Sequence, residues 1–392
     1  MKYRMKKDIV PAERVSRIQE YYFSRKLREV AKLNSEGADI ISLGIGGPDR
    51  PPHKLVVDTL CAQAKVDSNH SYQPYVGIPE LRNAMSQWYK RSYGVDLDPV
   101  TEVQPLIGSK EGILHVSMAF LNPGDGVLVP NPGYPTYLSV SRLVDADIYT
   151  YDLTEQGGWL PDFDELERLP LDKIKLMWIN YPHMPTGTPA TMELFERIVD
   201  FGRRHGIVIA HDNPYSFILN DKPLSLLQVP GAKDVAVEMN SMSKSHNMAG
   251  WRIGMVASNA TFINWILKVK SNIDSGQFRP MMQAAAEGFS LGSEWYTELN
   301  GVYAQRRVVA EDIMNELGCA FNPGQKGLFL WGRVPDGNGE QMADNLLYKA
   351  RVFVTPGSVF GSNGDNYIRL SLCATEEKLK EALRRIKEMK NN

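Results

Sequence analysis

Short, continuous apolar runs separated by amphipathic segments restrict the fold of this chain more than any other feature. The runs cover residues 103–107, 126–129, 175–179, 207–210, 235–239 and 253–256. Strands of a parallel sheet are buried on both faces, so they are apolar throughout instead of alternating. Helical segments such as 192–205 lie between the runs, as the crossovers of a parallel sheet require. The sequence therefore predicts an α/β fold with a mostly parallel central sheet covered by helices.

The two ends of the chain predict a second, smaller unit. Apolar residues at helical spacing between 15 and 33 precede a short strand at 40–43. A long helical stretch at 280–317 is followed by short strands and a charged final helix, at 327–331, 352–354, 367–372 and 376–390. We therefore expect an α+β domain, and the whole chain divides into an N-terminal arm with part of the small domain at 1–54, a large domain at 55–295 and a small C-terminal domain at 296–392.

Charge and cysteine content exclude several classes of protein. The 44 Lys and Arg residues against 46 Asp and Glu give a net charge of −2, and no basic stretch is interleaved with aromatics as in a nucleic-acid groove. Three cysteines far apart are typical of a reducing compartment, not of a disulfide framework. Neither a signal peptide nor an apolar run of the roughly 20 residues that cross a bilayer is present. We expect a cytoplasmic enzyme with no nucleic-acid or membrane partner.

Residues 241–252, Ser-Met-Ser-Lys-Ser-His-Asn-Met-Ala-Gly-Trp-Arg, are the most informative stretch. Lys244 follows a buried strand and could form a Schiff base if burial and a nearby cation lowered its pKa. The hydroxyls of Ser241 and Ser243 with the guanidinium of Arg252 suit a phosphate dianion. Taken alone, Ser-Met-Ser-Lys is more often an exposed loop, so the interpretation depends on the other motifs.

Other polar segments also follow predicted strands, at residues 108–110, 131–137, 180–187 and 211–215. Ser109 and Lys110 begin a helix, and the first N–H groups of a helix can bind an anion. Asp212 ends a strand, which is where open α/β sheets bind ligands. These positions favour a site along the carboxyl ends of the strands.

Arg369 lies in an otherwise apolar strand, and a buried arginine needs a partner. Two partners remain open at this point, a substrate carboxylate or an acidic side chain in a structural ion pair. The glycine-rich turn at 44–47 does not indicate a dinucleotide site, because Asp49 stands where the third glycine of that motif would be.

The order of these motifs, from Gly46 to Arg369, resembles that of the class I and II aminotransferases, which are fold type I enzymes that use pyridoxal 5′-phosphate (PLP). The resemblance covers nearly the whole chain, and segments 21–24, 43–46 and 132–135 are similar to the alanine and LL-diaminopimelate aminotransferase branch. It implies a large PLP domain, a small domain and a homodimer whose active sites lie at the subunit interface.

The resemblance also implies roles for single residues. Lys244 would form the Schiff base with PLP and later move a proton, and Asp212 would pair with the pyridinium nitrogen. Tyr215 would donate a hydrogen bond to the ring O3′, and Tyr134 would stack on the ring. The phosphate group would be bound by Ser109, Lys110, Ser241, Ser243, Arg252 and Tyr72 of the partner subunit.

For the substrate, the resemblance implies that Arg369 binds the α-carboxylate bidentately with the Gly46 backbone nearby. An aromatic residue of the N-terminal arm, Tyr21 or Tyr22, would contact the substrate. The alternative for both tyrosines, packing of a helix onto the dimer, is the more common situation. No residue is identified as a clamp for a second carboxylate.

One departure from the family pattern concerns residues 184–187, where Met-Pro-Thr-Gly replaces the usual Asn-Pro-Thr-Gly. The family's asparagine donates a hydrogen bond to O3′, and the Met184 side chain has no donor. Either His183 takes this role or Tyr215 carries it alone, and we prefer the second possibility.

The expected activity is transfer of an amino group from an L-amino acid to a 2-oxo acid, with 2-oxoglutarate as the family's usual acceptor. A PLP-dependent C–S β-lyase is the alternative enzyme, and a PLP-fold regulator is disfavoured because no DNA-binding domain is added. No metal is expected, because six of the histidines show no ligand spacing, namely His53, His70, His115, His205, His211 and His246.

Overall fold

The computed structural model describes residues 9–18 and 20–391. Its helices are α1 (Glu13–Ser16), α2 (Tyr22–Ser35), α3 (Lys54–Gln63), α4 (Pro79–Tyr93), α5 (Ser109–Phe120), α6 (Pro135–Leu143), α7 (Phe163–Leu166), α8 (Met192–His205), α9 (Met242–Ser245), α10 (Ala260–Lys270), α11 (Arg279–Ser290), α12 (Ser293–Glu316), α13 (Gly339–Lys349) and α14 (Glu376–Asn391). Its strands are β1 (Ile41–Ser42), β2 (Val103–Leu106), β3 (Gly126–Asn131), β4 (Asp147–Asp152), β5 (Ile174–Ile179), β6 (Val208–Asp212), β7 (Ala236–Ser241), β8 (Gly254–Ala257), β9 (Ala320–Phe321), β10 (Phe329–Arg333), β11 (Val352–Phe353), β12 (Thr355–Pro356) and β13 (Tyr367–Ser371).

A seven-stranded sheet forms the centre of the molecule, in the order β2-β8-β7-β6-β5-β3-β4. Only β8 runs antiparallel to its neighbours β2 and β7, and the other pairs are parallel. This confirms the prediction of a mostly parallel sheet. Each of the six apolar runs overlaps one strand, whereas the edge strand β4 was missed because half of its residues are exposed and it has no apolar run.

Helices cover both faces of the central sheet. On one face, α4 contributes fully buried residues such as Leu81 and Met85 to a large core with the apolar residues of α8. On the other, Ile113 and Val116 of α5 pack with residues of α6 and α10. Because both faces are buried, continuous apolar strands are the sequence pattern that this sheet requires.

The C-terminal part of the chain forms a second, antiparallel sheet in the order β12-β13-β10-β9. Strand β1 pairs in parallel with β11, and Ile41 and Leu43 belong to the same hydrophobic core as the C-terminal residues. Arg306 of α12 donates two hydrogen bonds of 2.8 Å to the Asp49 carboxylate. The division of the chain at residues 54 and 295 stays a prediction.

Two helical predictions were too long. The stretch expected at 280–317 is broken into α11 and α12 at Leu291 and Gly292, and the N-terminal pattern is divided into α1 and α2. A glycine lowers helix propensity by about 1 kcal/mol relative to alanine, which favours the break at residue 292. Among residues 9–18 and 20–391, no helix has both the length and the apolar character needed to cross a membrane.

Candidate active site

A cavity of about 300 Å³ opens at the carboxyl ends of β5, β6 and β7. Because these three strands are adjacent in the sheet, the residues at their ends meet, and Asn180, Asp212 and Lys244 all line the cavity. The small domain supplies part of the opposite wall through Phe329 of β10 and Arg369 of β13. The volume is at the lower end of the range for small-molecule sites.

Lys244 is positioned by the turn that follows β7. Ser241 ends the strand, and its hydroxyl accepts a hydrogen bond from the Ser243 N–H at 3.2 Å, which begins α9 and places Lys244 in its single turn. The Lys244 Nζ donates a hydrogen bond to the Gly46 carbonyl oxygen. Burial lowers the pKa of Lys244, and the nearby cations Arg369 and Arg252 lower it further. A larger neutral fraction makes this amine a better nucleophile and base.

Asp212 ends β6 and is only 4% exposed. Its Oδ2 accepts a hydrogen bond of 3.0 Å from the Tyr137 hydroxyl, whereas Oδ1 has no partner among the residues of the described ranges. Burial raises the pKa of Asp212 to about 6. One oxygen of this carboxyl group is therefore available to a donor in the cavity, and ionisation is favoured when a positive group is bound there.

Tyr137 was not assigned to the site by sequence reasoning, although it lies in the 131–137 motif. Its ring stacks on Trp178 at 5.0 Å, which fixes the hydroxyl beneath Asp212. The signal that could have found it is its spacing, because Tyr134 caps α6 and Tyr137 lies three residues later on the same side of the helix.

Two cations define one end of the cavity. Lys110 and Arg252 both line it, and neither forms an ion pair with an acidic side chain in the part of the chain that the structure describes. Arg252 Nη1 donates to the Ala249 carbonyl at 2.8 Å and to the Ser243 hydroxyl at 3.3 Å. Burial and the charge of Arg252 lower the pKa of Lys110. Ser109 begins α5 beside them, so its free helical N–H groups face the same end, which suits an anion.

Arg369 defines the other end and is 4% exposed. It donates to the Gly44 carbonyl at 2.8 Å, and its Nη1 lies 3.2 Å from the Met184 sulfur. The guanidinium lies over the rings of Phe329 and Phe360, at 3.8 and 4.7 Å from their centroids. Within residues 9–18 and 20–391, Arg369 has no acidic partner, so the structural ion pair that the sequence left open is not formed. Because a buried charge without a partner is unfavourable, this guanidinium suits a bound anion.

The other predicted residues fall into two groups. Gly46, Tyr134, Tyr215 and Tyr21 all line the cavity, and Lys110 Nζ lies 4.2 Å from the centre of the Tyr21 ring. Tyr22, the alternative to Tyr21, does not line it. Tyr72 is 92% exposed and lies outside the cavity of its own chain.

Met184 lines the cavity, but its neighbour His183 does not. His183 is buried, its Nδ1 lies 2.8 Å from the Thr186 hydroxyl, and burial lowers its pKa to about 3. The imidazole is therefore neutral, and it does not belong to the cavity lining. Tyr215 lines the cavity and His183 does not, and the expectation that Tyr215 alone replaces the family's asparagine stays a prediction.

The expectation that no histidine has ligand spacing missed Glu111, which precedes His115 by one helical turn. With Asp274 these side chains place possible ligand atoms within 4.8 Å of one another, in a cluster outside the cavity lining of which His115 is buried and the two carboxylates are partly buried. Asp274 already pairs with the Lys270 ammonium group, so part of the cluster's negative charge is neutralised. The sequence could not place Asp274, which is 159 positions from His115.

Comparisons with known proteins agree with this architecture. A family model described as "Aminotransferase class I and II" matches residues 38–386. The LL-diaminopimelate aminotransferases of Aquifex aeolicus and Moorella thermoacetica are both 40% identical to the chain; the alignments cover 97% and 96% of it, and 99% and 97% of the relatives. The substrate-bound structure of BacF from Bacillus subtilis has a TM-score of 0.92 at 35% identity, covering 97% of this chain and 98% of that one. The chain therefore belongs to the class I and II aminotransferases.

Proposed function

We propose that this aminotransferase uses PLP to move an amino group from an L-amino acid to a 2-oxo acid, with 2-oxoglutarate as the first acceptor to test. The observation that carries the proposal is the arrangement of one cavity. A lysine of lowered pKa lies between an anion site at Lys110 and Arg252 and a second at Arg369. A phosphate and a substrate carboxylate are the two anions that such an arrangement suits.

The residues of the cavity fit PLP. Lys110, Arg252 and the start of α5 would hold the phosphate, and the unpaired Asp212 Oδ1 would accept a hydrogen bond from a protonated ring nitrogen. Tyr134 would stack on the ring, and Lys244 would bind the aldehyde carbon. When bound, PLP supplies an aldehyde that takes up the amino group and a ring that withdraws electrons.

Different residues of the cavity would carry out proton transfer, charge stabilisation and substrate orientation. Lys244 Nζ, once neutral, accepts the proton from the substrate Cα and returns a proton to complete the transfer. With PLP bound, ionised Asp212 would stabilise a positive charge on the ring nitrogen, and the Tyr215 hydroxyl would donate a hydrogen bond to the ring O3′. Arg369 binds the α-carboxylate and so fixes the Cα–H bond relative to Lys244, and orientation of this kind contributes a large part of catalysis.

Chemical trapping tests the assignment of Lys244, since both Lys110 and Lys244 line the cavity. The PLP-loaded protein is reduced with borohydride and digested, and the modified peptide is identified by mass spectrometry. We expect the cofactor on the peptide that contains Lys244. Attachment to the Lys110 peptide would contradict the proposal.

Replacing Arg369 with alanine is expected to raise the KM for every amino acid by a factor that corresponds to about 2–5 kcal/mol, because the buried carboxylate loses its charged partner. Steady-state kinetics with two different donors measure the effect. Arg369→Lys should lose less, since it keeps the charge but not the paired geometry. The exposed Arg333→Ala serves as control, and an unchanged KM in Arg369→Ala would return Arg369 to a structural role.

Replacing Gly108 with alanine is expected to weaken cofactor binding by about tenfold or more. Gly108 has φ +75°, and a Cβ there would overlap the Arg252 guanidinium and displace it. A tenfold weaker dissociation constant corresponds to a loss of about 1.4 kcal/mol of binding free energy. Gly94→Ala is the matched control, because Gly94 has φ +68° and no atom within 4 Å of its Cβ position. The PLP dissociation constant of both variants, measured by fluorescence, separates backbone strain from the contact with Arg252. Equal constants would refute the role given to Gly108.

We also propose that the enzyme works as a homodimer in the cytoplasm. The exposed Tyr72 supports a dimer, because the family resemblance places this residue at the phosphate of the other subunit. All three cysteines are free, which is consistent with a reducing compartment. Sedimentation equilibrium of the PLP-loaded protein tests the dimer.

A further inference from the structure

We infer that this cavity prefers amino acids with an aromatic or bulky apolar side chain over those with a second charged group. The inference rests on the proposed function, because it uses Arg369 to fix the α-carboxylate and Lys244 as the reacting amine. It concerns a different part of the cavity, the wall that the substrate side chain would meet.

The backbone of residues 44–46 locates the substrate. The Gly44 carbonyl accepts a hydrogen bond from Arg369, and the Gly46 carbonyl accepts one from Lys244. The substrate Cα has to lie between its carboxylate at Arg369 and the amine, hence beside this segment. Ile45 lies between the two glycines and lines the cavity there, so the first group that the substrate side chain meets is apolar.

The wall beyond Ile45 is also apolar. Phe23 of α2 lies with its ring centre 5.5 Å from the Arg369 guanidinium and 6.5 Å from the Phe360 ring. Leu27 follows Phe23 by one helical turn and lines the cavity as well. A side chain that extends from the carboxylate site toward α2 therefore meets aromatic and aliphatic carbon.

Each charged side chain that lines the cavity already has a role in the proposed function. They are Lys110, Asp212, Lys244, Arg252 and Arg369. Two belong to the phosphate end, one to the ring nitrogen, one to the reaction and one to the α-carboxylate, so the described residues leave none for a distal charge. LL-Diaminopimelate carries both an ammonium and a carboxylate at its far end, and burying unpaired charges is strongly unfavourable.

Met184 strengthens the same preference. Its thioether replaces the amide that the family usually has at this position, and it lies 3.2 Å from Arg369 Nη1 on the cavity surface. A thioether is a weak acceptor and packs against aromatic groups. The neighbourhood of the carboxylate site is consequently less polar than an asparagine would make it.

Single-turnover kinetics of the PLP-loaded protein test the inference without an acceptor. The donors are phenylalanine, leucine, methionine, alanine, glutamate, aspartate and LL-diaminopimelate, and the readout is the rate of conversion to the pyridoxamine form divided by the donor concentration. We expect phenylalanine to exceed glutamate by at least about tenfold, with diaminopimelate lower still. Glutamate or diaminopimelate as best donor would overturn the inference and leave the proposed function intact. Failure of every donor would refute the proposed function itself.

Two charge variants at one position test the location of the wall. Leu27→Arg should lower the phenylalanine-to-glutamate rate ratio by about tenfold, and Leu27→Glu should raise it, because they add opposite charges at the same place. Leu55→Arg is the control, since Leu55 is similarly exposed, 41% against 43% for Leu27, but does not line the cavity. If neither Leu27 variant shifts the ratio relative to Leu55→Arg, the substrate side chain does not lie against α2 and the inference is wrong.

Discussion

Replacing Lys244 with alanine is expected to abolish amino-group transfer, with kcat lowered by at least about 10⁴-fold, the upper end of what one positioned acid–base group contributes. The Lys244 amine lies between the two anion sites, and burial lowers its pKa, so a larger fraction of it is neutral and able to accept a proton than of an exposed lysine. The loss should appear in single-turnover measurements of Cα proton exchange, which isolate the step that Lys244 performs.

Two further variants keep this prediction specific. Lys244→Arg retains the positive charge but cannot be deprotonated, so it should be as inactive as the alanine variant. Lys110→Ala removes the other lysine of the cavity and should chiefly weaken cofactor binding, with transfer restored at saturating PLP. Substantial proton exchange in Lys244→Ala would show that another group is the base.

Replacing Asp212 with alanine is expected to leave PLP bound but to lower kcat by about 10²–10⁴-fold, which corresponds to the roughly 3–5 kcal/mol lost when a buried charge pair is broken. The phosphate contacts would be unaffected, whereas the ring nitrogen would lose Asp212, the one carboxylate that lines the cavity among residues 9–18 and 20–391. Burial raises the pKa of Asp212 to about 6, so without a bound cation the carboxyl group is protonated more easily than an exposed aspartate. Binding of a protonated ring should lower this pKa again.

Tyr137→Phe is the matched comparison, since it removes only the 3.0 Å hydrogen bond to Asp212 Oδ2. A single hydrogen bond to a charged group contributes about 1.5–3 kcal/mol, so the loss of kcat should be smaller than in Asp212→Ala. Stopped-flow absorbance gives both rate constants, and equilibrium dialysis confirms that PLP remains bound. A near-normal kcat in Asp212→Ala would refute the pairing with the ring nitrogen.

The strands of the central sheet could be predicted from the sequence because burial on both faces leaves its mark on consecutive residues. A strand buried on both faces must be apolar throughout, and β5, β6 and β7 were located within one or two residues by that pattern. Strand β4 lies at the edge and is half exposed, so its sequence carries no such signal. The break between α11 and α12 depends on one glycine and on packing, which a periodic pattern does not record.

Residues of the site could be predicted only where they belong to a recognisable sequence motif. Lys244 and Asp212 follow apolar runs, and strand ends are where such sheets bind ligands. Arg369 was identified, but its contacts with the rings of Phe329 and Phe360 and with the Met184 sulfur were not. Phe329 and Phe360 lie in the same C-terminal part of the chain as Arg369, whereas Met184 lies 185 positions before it. All three contacts arise from tertiary packing, for which the sequence offers no spacing rule.

The absorbance spectrum of the PLP-loaded protein, titrated with one amino acid and no 2-oxo acid, distinguishes amino-group transfer from lyase chemistry. Phenylalanine is used first, then cystathionine, which a C–S lyase would cleave. We expect stoichiometric conversion to a stable pyridoxamine form, with release of one 2-oxo acid per site and reversal when a 2-oxo acid is added. Regeneration of the starting spectrum while pyruvate and ammonia accumulate would contradict it, since that outcome defines a lyase.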